Sequence, residues 1–146
     1  AARLAALKLL NRRDYGAREL GERLAERGFA TATAQAVVDQ LVREKLLDDC
    51  RFAEHFVAYH ANRGQGPVRI AHKLREAGVA AELISASVDA GSADWRRRCA
   101  EVRRKRFGAR EPGSWAERGK QARFLTQRGF SSDQVRAAVG RDLDGE

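Results

Sequence analysis

The residues of this 146-residue chain that could do chemistry are three histidines, two cysteines, a pair of adjacent aspartates and a dense run of arginines. His55 and His60 lie five positions apart and so do not share a helix face, and His72 falls in a separate segment. Metal ligation or proton transfer needs converging groups, so solvated or core-edge imidazoles fit this spacing better. Asp48 and Asp49 could form a carboxylate pair, but each also suits the N-cap of a helix, where a carboxylate accepts an unpaired backbone N–H. Cys50 and Cys99 have neither metal-site spacing nor the density of a disulfide scaffold, and each is expected to pack as a small apolar side chain near the start of a helix. Gly64-Gln65-Gly66-Pro67 has neither the length nor the lysine of a phosphate-cradling loop. No nucleophile–base arrangement surrounds Ser85, Ser87 or the cysteines, and the aromatic residues fall at core spacing rather than as base-stacking platforms. The pattern does not point to an enzyme, and no metal or cofactor is expected.

The arginines are the stronger signal. Lys and Arg number 28 against 20 Asp and Glu, a formal charge of +8 that favours a polyanion or an acidic protein surface as partner. Residues 92–146 hold fourteen Lys/Arg against eight Asp/Glu, whereas residues 1–47 hold nine against six and residues 48–91 five against six. On a helix starting near Trp95, Arg96 stacks over Arg103 and Arg97 over Arg104, with Lys105 and Arg106 beside them. Together they should cover the arc opposite Trp95 and Cys99. Like charges so close repel. A solvated face is the ordinary reading of a charge run, but this density argues for an anionic partner. A second cluster, Arg63, Arg69 and Lys73, surrounds the Gly66-Pro67 turn. There Lys73 could simply pair with Glu76, while the helix start at Gly66 to Val68 offers backbone N–H groups to a phosphate or carboxylate. The candidate partner-binding residues are therefore Arg63, Arg69, Lys73, Arg96, Arg97, Arg103, Arg104 and Lys105.

The elements that must position these side chains are helical. Prolines number two, Ala, Leu, Arg and Glu abound, and no alternating apolar run is present. One helix should start at Asp48 or Asp49, turn Phe52, Phe56 and Tyr59 inward with Ala53 and Val57 beside them, and stop at Gly64. The next should open at Pro67, carry Ile70 and Leu74 inward, and end at Gly78-Val79. That ending recurs. The strings AERGF (25–29), REAGV (75–79) and TQRGF (126–130) repeat at intervals of 50 and 51 residues, each with a leucine four residues before the glycine and a valine ten after it. A repeat at fixed period implies stacked copies of one small unit.

The units are expected at 1–47, 48–91 and 92–146, three helices each. In the first, Leu4, Leu7 and Leu10 line one helix, Ala17, Leu20 and Leu24 the second, and Ala34, Val37, Val38 and Leu41 the third. The middle unit closes with Leu83, Ile84 and Val88. In the last, the inward faces are Trp95, Cys99 and Val102, then Trp115, Ala122 and Leu125, then Val135, Ala138 and Val139. Ser131 and Gln134 form a capping box. The fold class expected is all-α, an elongated array of three tandem three-helix repeats, with one compact nine-helix bundle as the alternative. The tail from Asp142 to Glu146 is polar and should fray.

No apolar run is long enough to span a bilayer and no signal-peptide core is visible, which points to the cytoplasm. The chain lacks Met and opens directly in a helical pattern, so residues upstream of Ala1 are expected.

The stretches LLDDCRFAEHF (46–56) and RGQGPVRIAHKLREAGV (63–79) closely resemble the RecX family, bacterial regulators of the RecA recombinase. The opening ALKLLNRRDYGARELGERLAERGF (6–29) and, more weakly, FLTQRGFSSDQVRAAV (124–139) extend the resemblance over nearly the whole chain. Its most specific elements are Leu47-Asp48-Asp49, Arg51-Phe52-Ala53, and Gly66-Pro67 with Arg69-Ile70. The resemblance implies tandem three-helix repeats that bind RecA–DNA filaments in the groove and block strand exchange and ATP hydrolysis, with effects on recombination and the SOS response. The implied partners are the RecA filament and single- and double-stranded DNA, with no membrane, no cofactor and a monomeric state. Asp48, Asp49, Phe52 and Gly66-Pro67 match family motifs but read as caps, core and turn. Arg69 matches a basic position beside the Gly-Pro turn and is the best single candidate for filament contact. Gly16 departs from the family, which usually places Ser there. A helical module that binds DNA on its own is the alternative function.

Overall fold

The computed structural model describes residues 1–140, and every regular element among them is an α-helix. In chain order these are α1 (Ala2–Arg12), α2 (Ala17–Glu26), α3 (Thr31–Arg43), α4 (Asp49–Asn62), α5 (Pro67–Glu76), α6 (Ala81–Val88), α7 (Ala93–Phe107), α8 (Trp115–Gln127) and α9 (Ser132–Val139). The polar tail from Asp142 lies outside the described residues.

The leucine–glycine repeat is a helix stop used three times. Gly28, Gly78 and Gly129 all have positive φ, at 96°, 86° and 103°. At each, the residue after the glycine donates its N–H to the leucine carbonyl: Phe29 to Leu24, Val79 to Leu74, Phe130 to Leu125, at 3.1–3.2 Å. Glycine carries the left-handed turn without a Cβ clash, and the following apolar residue folds back on the helix. Leu24, Leu74 and Leu125 are fully buried, and the valines ten residues after the glycines, Val38, Val88 and Val139, are buried as well. The same stop closes α3 at Lys45, which holds φ 61° without being glycine.

The contacts gather into two compact units, each using parts of α4 and α5. The first comprises Ala1–His55 and Lys73–Ser87. Its core contains Ala6, Leu9, Tyr15, Leu20, Leu24, Ala34, Val38, Leu41 and Leu47. The inward face of α1 differs from the expected Leu4–Leu7–Leu10 line. Ala2, Ala6 and Leu9 are buried, Leu7 and Leu10 half-buried, and Leu4 is 58% exposed. The segment is apolar nearly all round, so spacing alone did not select the face. The two aspartates take different tasks. The Asp48 carboxylate accepts from the N–H groups of Cys50 and Arg51 and caps α4. The Asp49 carboxylate accepts from the Ala17 N–H at 2.8 Å and caps α2, whose own N-cap is Gly16. A missing local cap is thus replaced from 32 residues away. Cys50 is exposed on the first turn of α4, contrary to the packed position expected, and donates to the Glu54 carboxylate.

Among the described residues, the second unit comprises Phe56–His72 and residues 88–140. Helices α7, α8 and α9 pack on Trp95, Cys99, Leu125, Phe130, Val135 and Val139. The Trp95 indole N–H donates to the Val88 carbonyl at 2.7 Å. Ser131 and Gln134 form the expected capping box. Two aromatic residues expected inside are outside. Trp115 is 52% exposed because it is the first residue of α8, ahead of the turn that meets the core, and Gln121 takes an inward place. Tyr59 is 53% exposed, and the Arg63 guanidinium lies 4.4 Å from its ring centre.

Candidate anion-binding site on the second unit

The site begins with a meeting of helix ends. Helix α4 stops at Gly64 (φ 84°), and α5 starts at Pro67 behind the cap residue Gly66. The Gly66 N–H donates to the Arg128 carbonyl at 2.8 Å, and the Val68 N–H to the Gly129 carbonyl at 2.9 Å. The start of α5 is therefore satisfied by the carbonyls ending α8, an N-terminus set against a C-terminus. This corrects the expectation that Gly66 to Val68 hold N–H groups open for a phosphate. The approach is close enough that a Cβ on Gly66 would lie 2.4 Å from the Gly129 carbonyl carbon, and one on Gly129 the same distance from Arg69 Cβ. Neither glycine is replaceable without parting the backbones.

The Arg128 side chain ties the same junction from the other direction. Its Nη2 donates to the Arg63 carbonyl at 2.6 Å and its Nε to the Gly64 carbonyl at 3.3 Å. These carbonyls lie just past the end of α4, where a guanidinium is favourable.

Beside this junction is a cleft of about 490 Å³ between the end of α4, one side of α7 and one side of α8. Five cationic side chains line it, namely Arg63, Arg98, Lys105, Arg106 and Arg128, against one carboxylate, Glu101. Ala61, Val102 and Phe124 supply apolar wall. Arg98 is steadied by the Asn62 carboxamide oxygen at 3.2 Å and an Asp94 carboxylate oxygen at 3.5 Å. Arg106 lies over the edge-on Phe107–Phe124 pair, 5.4 and 5.6 Å from the two ring centres. Such a concave cationic surface can hold an anion by charge-assisted hydrogen bonds.

Of the residues expected from the sequence, Arg63 and Lys105 line this cleft. Arg69 is exposed beside the junction, its stem against Gly129, and Lys73 is half-buried one turn along α5. Arg96, Arg97 and Arg104 are exposed along α7, with Arg97 paired to Asp94. Arg103 is the correction. It is 6% exposed and donates to the Gln121 side-chain oxygen and the Arg110 carbonyl, both at 3.3 Å. Positions 95, 99 and 103 recur every four residues and share the buried face, so Arg103 does not stack under Arg96 toward solvent. Three further cleft arginines, Arg98, Arg106 and Arg128, lie outside the expected set. Arg98 and Arg106 lie within the arginine run, but nothing local shows that Arg128 reaches carbonyls 64 and 65 residues earlier.

The remaining reactive groups lie elsewhere. Burial pushes the Cys99 thiol up to about 12, and the Glu54 carboxylate raises Cys50, so neither is an activated thiolate. His55 Nδ1 meets the Asp14 carboxylate at 2.8 Å, an exposed pair. Among the described residues no group of three or more His, Cys, Asp or Glu is placed to hold a metal ion, and no helix is long and apolar enough to cross a membrane.

Three models of the RecX family match the chain in succession: the first three-helix domain over residues 2–41, the second over 48–87 and the third over 96–139. The regulatory protein RecX of Halorhodospira halophila is 48% identical, covering 100% of this chain and 91% of that relative. The regulatory protein RecX of Stenotrophomonas maltophilia is 39% identical over 95% of this chain and 85% of its own. The crystal structure of RecX from Lactobacillus salivarius superposes with a TM-score of 0.82 at 18% identity, covering 98% of this chain and 94% of that one, a likeness of fold.

Proposed function

The chain belongs to the RecX family of regulatory proteins, and from that premise we propose that it binds RecA–DNA filaments in the groove and inhibits RecA recombinase and ATPase activity. Recombination and the SOS response would be modulated as a result. The reading is carried by one observation: Arg96, Arg97 and Arg104 are exposed along α7, with Arg69 exposed at the start of α5. The partners are RecA subunits within the filament and single- or double-stranded DNA, met in the cytoplasm by a monomer composed of units 1–47, 48–91 and 92–146. The action is steric and electrostatic. Short helices present guanidinium groups to DNA phosphates and acidic RecA surfaces, and the bulk of the bound chain obstructs strand exchange and subunit movement.

The test is inhibition of RecA-driven ATP hydrolysis. Arg69→Glu with Lys73→Glu should weaken inhibition while the melting temperature holds, and Arg97→Glu with Arg104→Glu should weaken binding most at low salt. Unchanged inhibition by both pairs across ionic strengths would remove these side chains from the contact surface, and no inhibition by the parent chain would reject the reading. Three exposed arginines on one helix also suit direct docking on a duplex, the second reading. Equal affinity for bare and RecA-coated DNA would favour it.

A further inference from the structure

The cleft on the second unit differs from the exposed arginines of α7. It is concave, and three of its five cations are held in place before any ligand arrives: Arg128 by the carbonyls of Arg63 and Gly64, Arg98 by Asn62 and Asp94, Arg106 by the Phe107–Phe124 pair. Two of the five N–H donors of Arg128 are used in that bracing, which leaves the others for a ligand. Among the described residues, neither Lys105 nor Arg106 has a carboxylate within ion-pair distance. A set of like charges held so close raises the free energy of the empty cleft, and an anion relieves it.

We propose that this cleft is a binding site for a compact polyphosphate, a chain of three linked phosphates such as nucleoside triphosphates and inorganic tripolyphosphate share. Charge and size both select that class. Five cations against Glu101, with Asp94 shared between Arg98 and Arg97 at the rim, leave an excess of three to four, and a triphosphate chain brings about four negative charges at neutral pH. The volume of about 490 Å³ falls within the roughly 300–1,000 Å³ of small-molecule sites. A duplex presents its phosphates along a convex rod and cannot converge several of them on one concavity. A peptide would have to bring four carboxylates, with their backbone, into the same space. Phe124, Val102 and Ala61 give a nucleoside an apolar surface that inorganic tripolyphosphate would leave uncovered. Binding is reversible and involves no bond cleavage. The site is distinct from the exposed arginines assigned to the filament, and its test contains neither RecA nor DNA.

The experiment is titration calorimetry of the full chain with ATP, AMP, inorganic tripolyphosphate and a tetra-glutamate peptide, in EDTA at low salt. ATP and tripolyphosphate should bind saturably at one site, at least about tenfold more tightly than AMP or the peptide, as expected for several additional charge-assisted contacts. ATP much tighter than tripolyphosphate assigns the nucleoside source, and equal affinities assign the phosphate chain alone. Lys105→Glu with Arg106→Glu should weaken binding at least about tenfold. Arg96→Glu with Arg97→Glu, which changes net charge equally outside the cleft, should weaken it less than about threefold. A merely unfolded variant is recognised by circular dichroism, in which case Lys105→Ala with Arg106→Gln replaces it under the same criterion. Equal loss in the cleft and outer pairs, non-saturable heat, AMP as tight as ATP, or the peptide as tight as tripolyphosphate would each overturn the proposal.

Discussion

Replacing Gly66 with alanine is the sharpest challenge to the helix-end junction. The new methyl would sit 2.4 Å from the Gly129 carbonyl carbon, 2.5 Å from its oxygen and 2.5 Å from the Phe130 nitrogen. All three are backbone atoms, so no side chain can swing aside. Reaching ordinary contact requires the two segments to part by about 1 Å. That breaks the Gly66 N–H to Arg128 and Val68 N–H to Gly129 hydrogen bonds, about 1 kcal/mol each, with more lost if a buried partner is left unsatisfied. Alanine returns about 0.4–1 kcal/mol by restricting the unfolded chain. The balance is a destabilisation of about 1–4 kcal/mol, the upper end if a buried partner is left unsatisfied. Urea denaturation should show a lower midpoint with an unchanged slope. Hydrogen exchange should show the Val68 amide losing its protection. Gly21→Ala is the internal control. Its methyl would meet only Val38 Cγ2, at 3.8 Å, inside α2, so it should stabilise by about 1 kcal/mol. If Gly66→Ala is as stable as the parent, or both substitutions shift stability in the same direction, the crowding argument fails.

Three further outcomes are expected. Asp49→Ala should destabilise by about 1 kcal/mol in urea melts by uncapping α2, and adding Gly16→Ser should recover most of that, because a Cβ at position 16 meets only ordinary contacts at 3.6–3.7 Å. No recovery would mean that Asp49 acts other than as a cap. Lys45→Gly should raise stability by about 1 kcal/mol by removing a side chain from φ 61°, and a lower melting temperature would contradict this. In the folded protein maleimide should label Cys50 and leave Cys99 unmodified, since the Cys99 thiol is buried and pushed up to about 12. The Glu54 carboxylate holds the Cys50 proton on, so the rise of its labelling with pH should be displaced upward, and Glu54→Gln should move it down. An unchanged pH profile would dismiss the Cys50–Glu54 contact.

The helix stops could be read from the chain before any coordinates. Leu24-Gly28-Phe29, Leu74-Gly78-Val79 and Leu125-Gly129-Phe130 are local motifs, each complete within six residues, and the structure builds all three as written. The start of α5 at Pro67 and the capping box at Ser131 and Gln134 were legible for the same reason. Inward faces were less so. In α1 the apolar residues surround the helix, and in α7 the period that buries Trp95 and Cys99 also carries Arg103 inward, so the arginine run looked uniformly exposed when it is not. Trp115 lies outside rather than inside because a residue at a helix start has no turn before it to fix its face.

The candidate site was half visible. Arg63 and Lys105 stood out as charge, whereas Arg98, Arg106 and Arg128 acquire their place only when α4, α7 and α8 come together. Sequence alone determined what depends on neighbours within a turn or two: helix class, stops, caps, the threefold repeat and the basic balance of the last third. Tertiary structure decided what depends on distant chain segments. It gave Asp49 to α2, closed the start of α5 with the carbonyls that end α8, buried Arg103, and gathered five cations around one cleft. Local hydrogen bonds and φ preferences act over a few residues, whereas burial and charge convergence are sums over segments up to 65 residues apart in the chain.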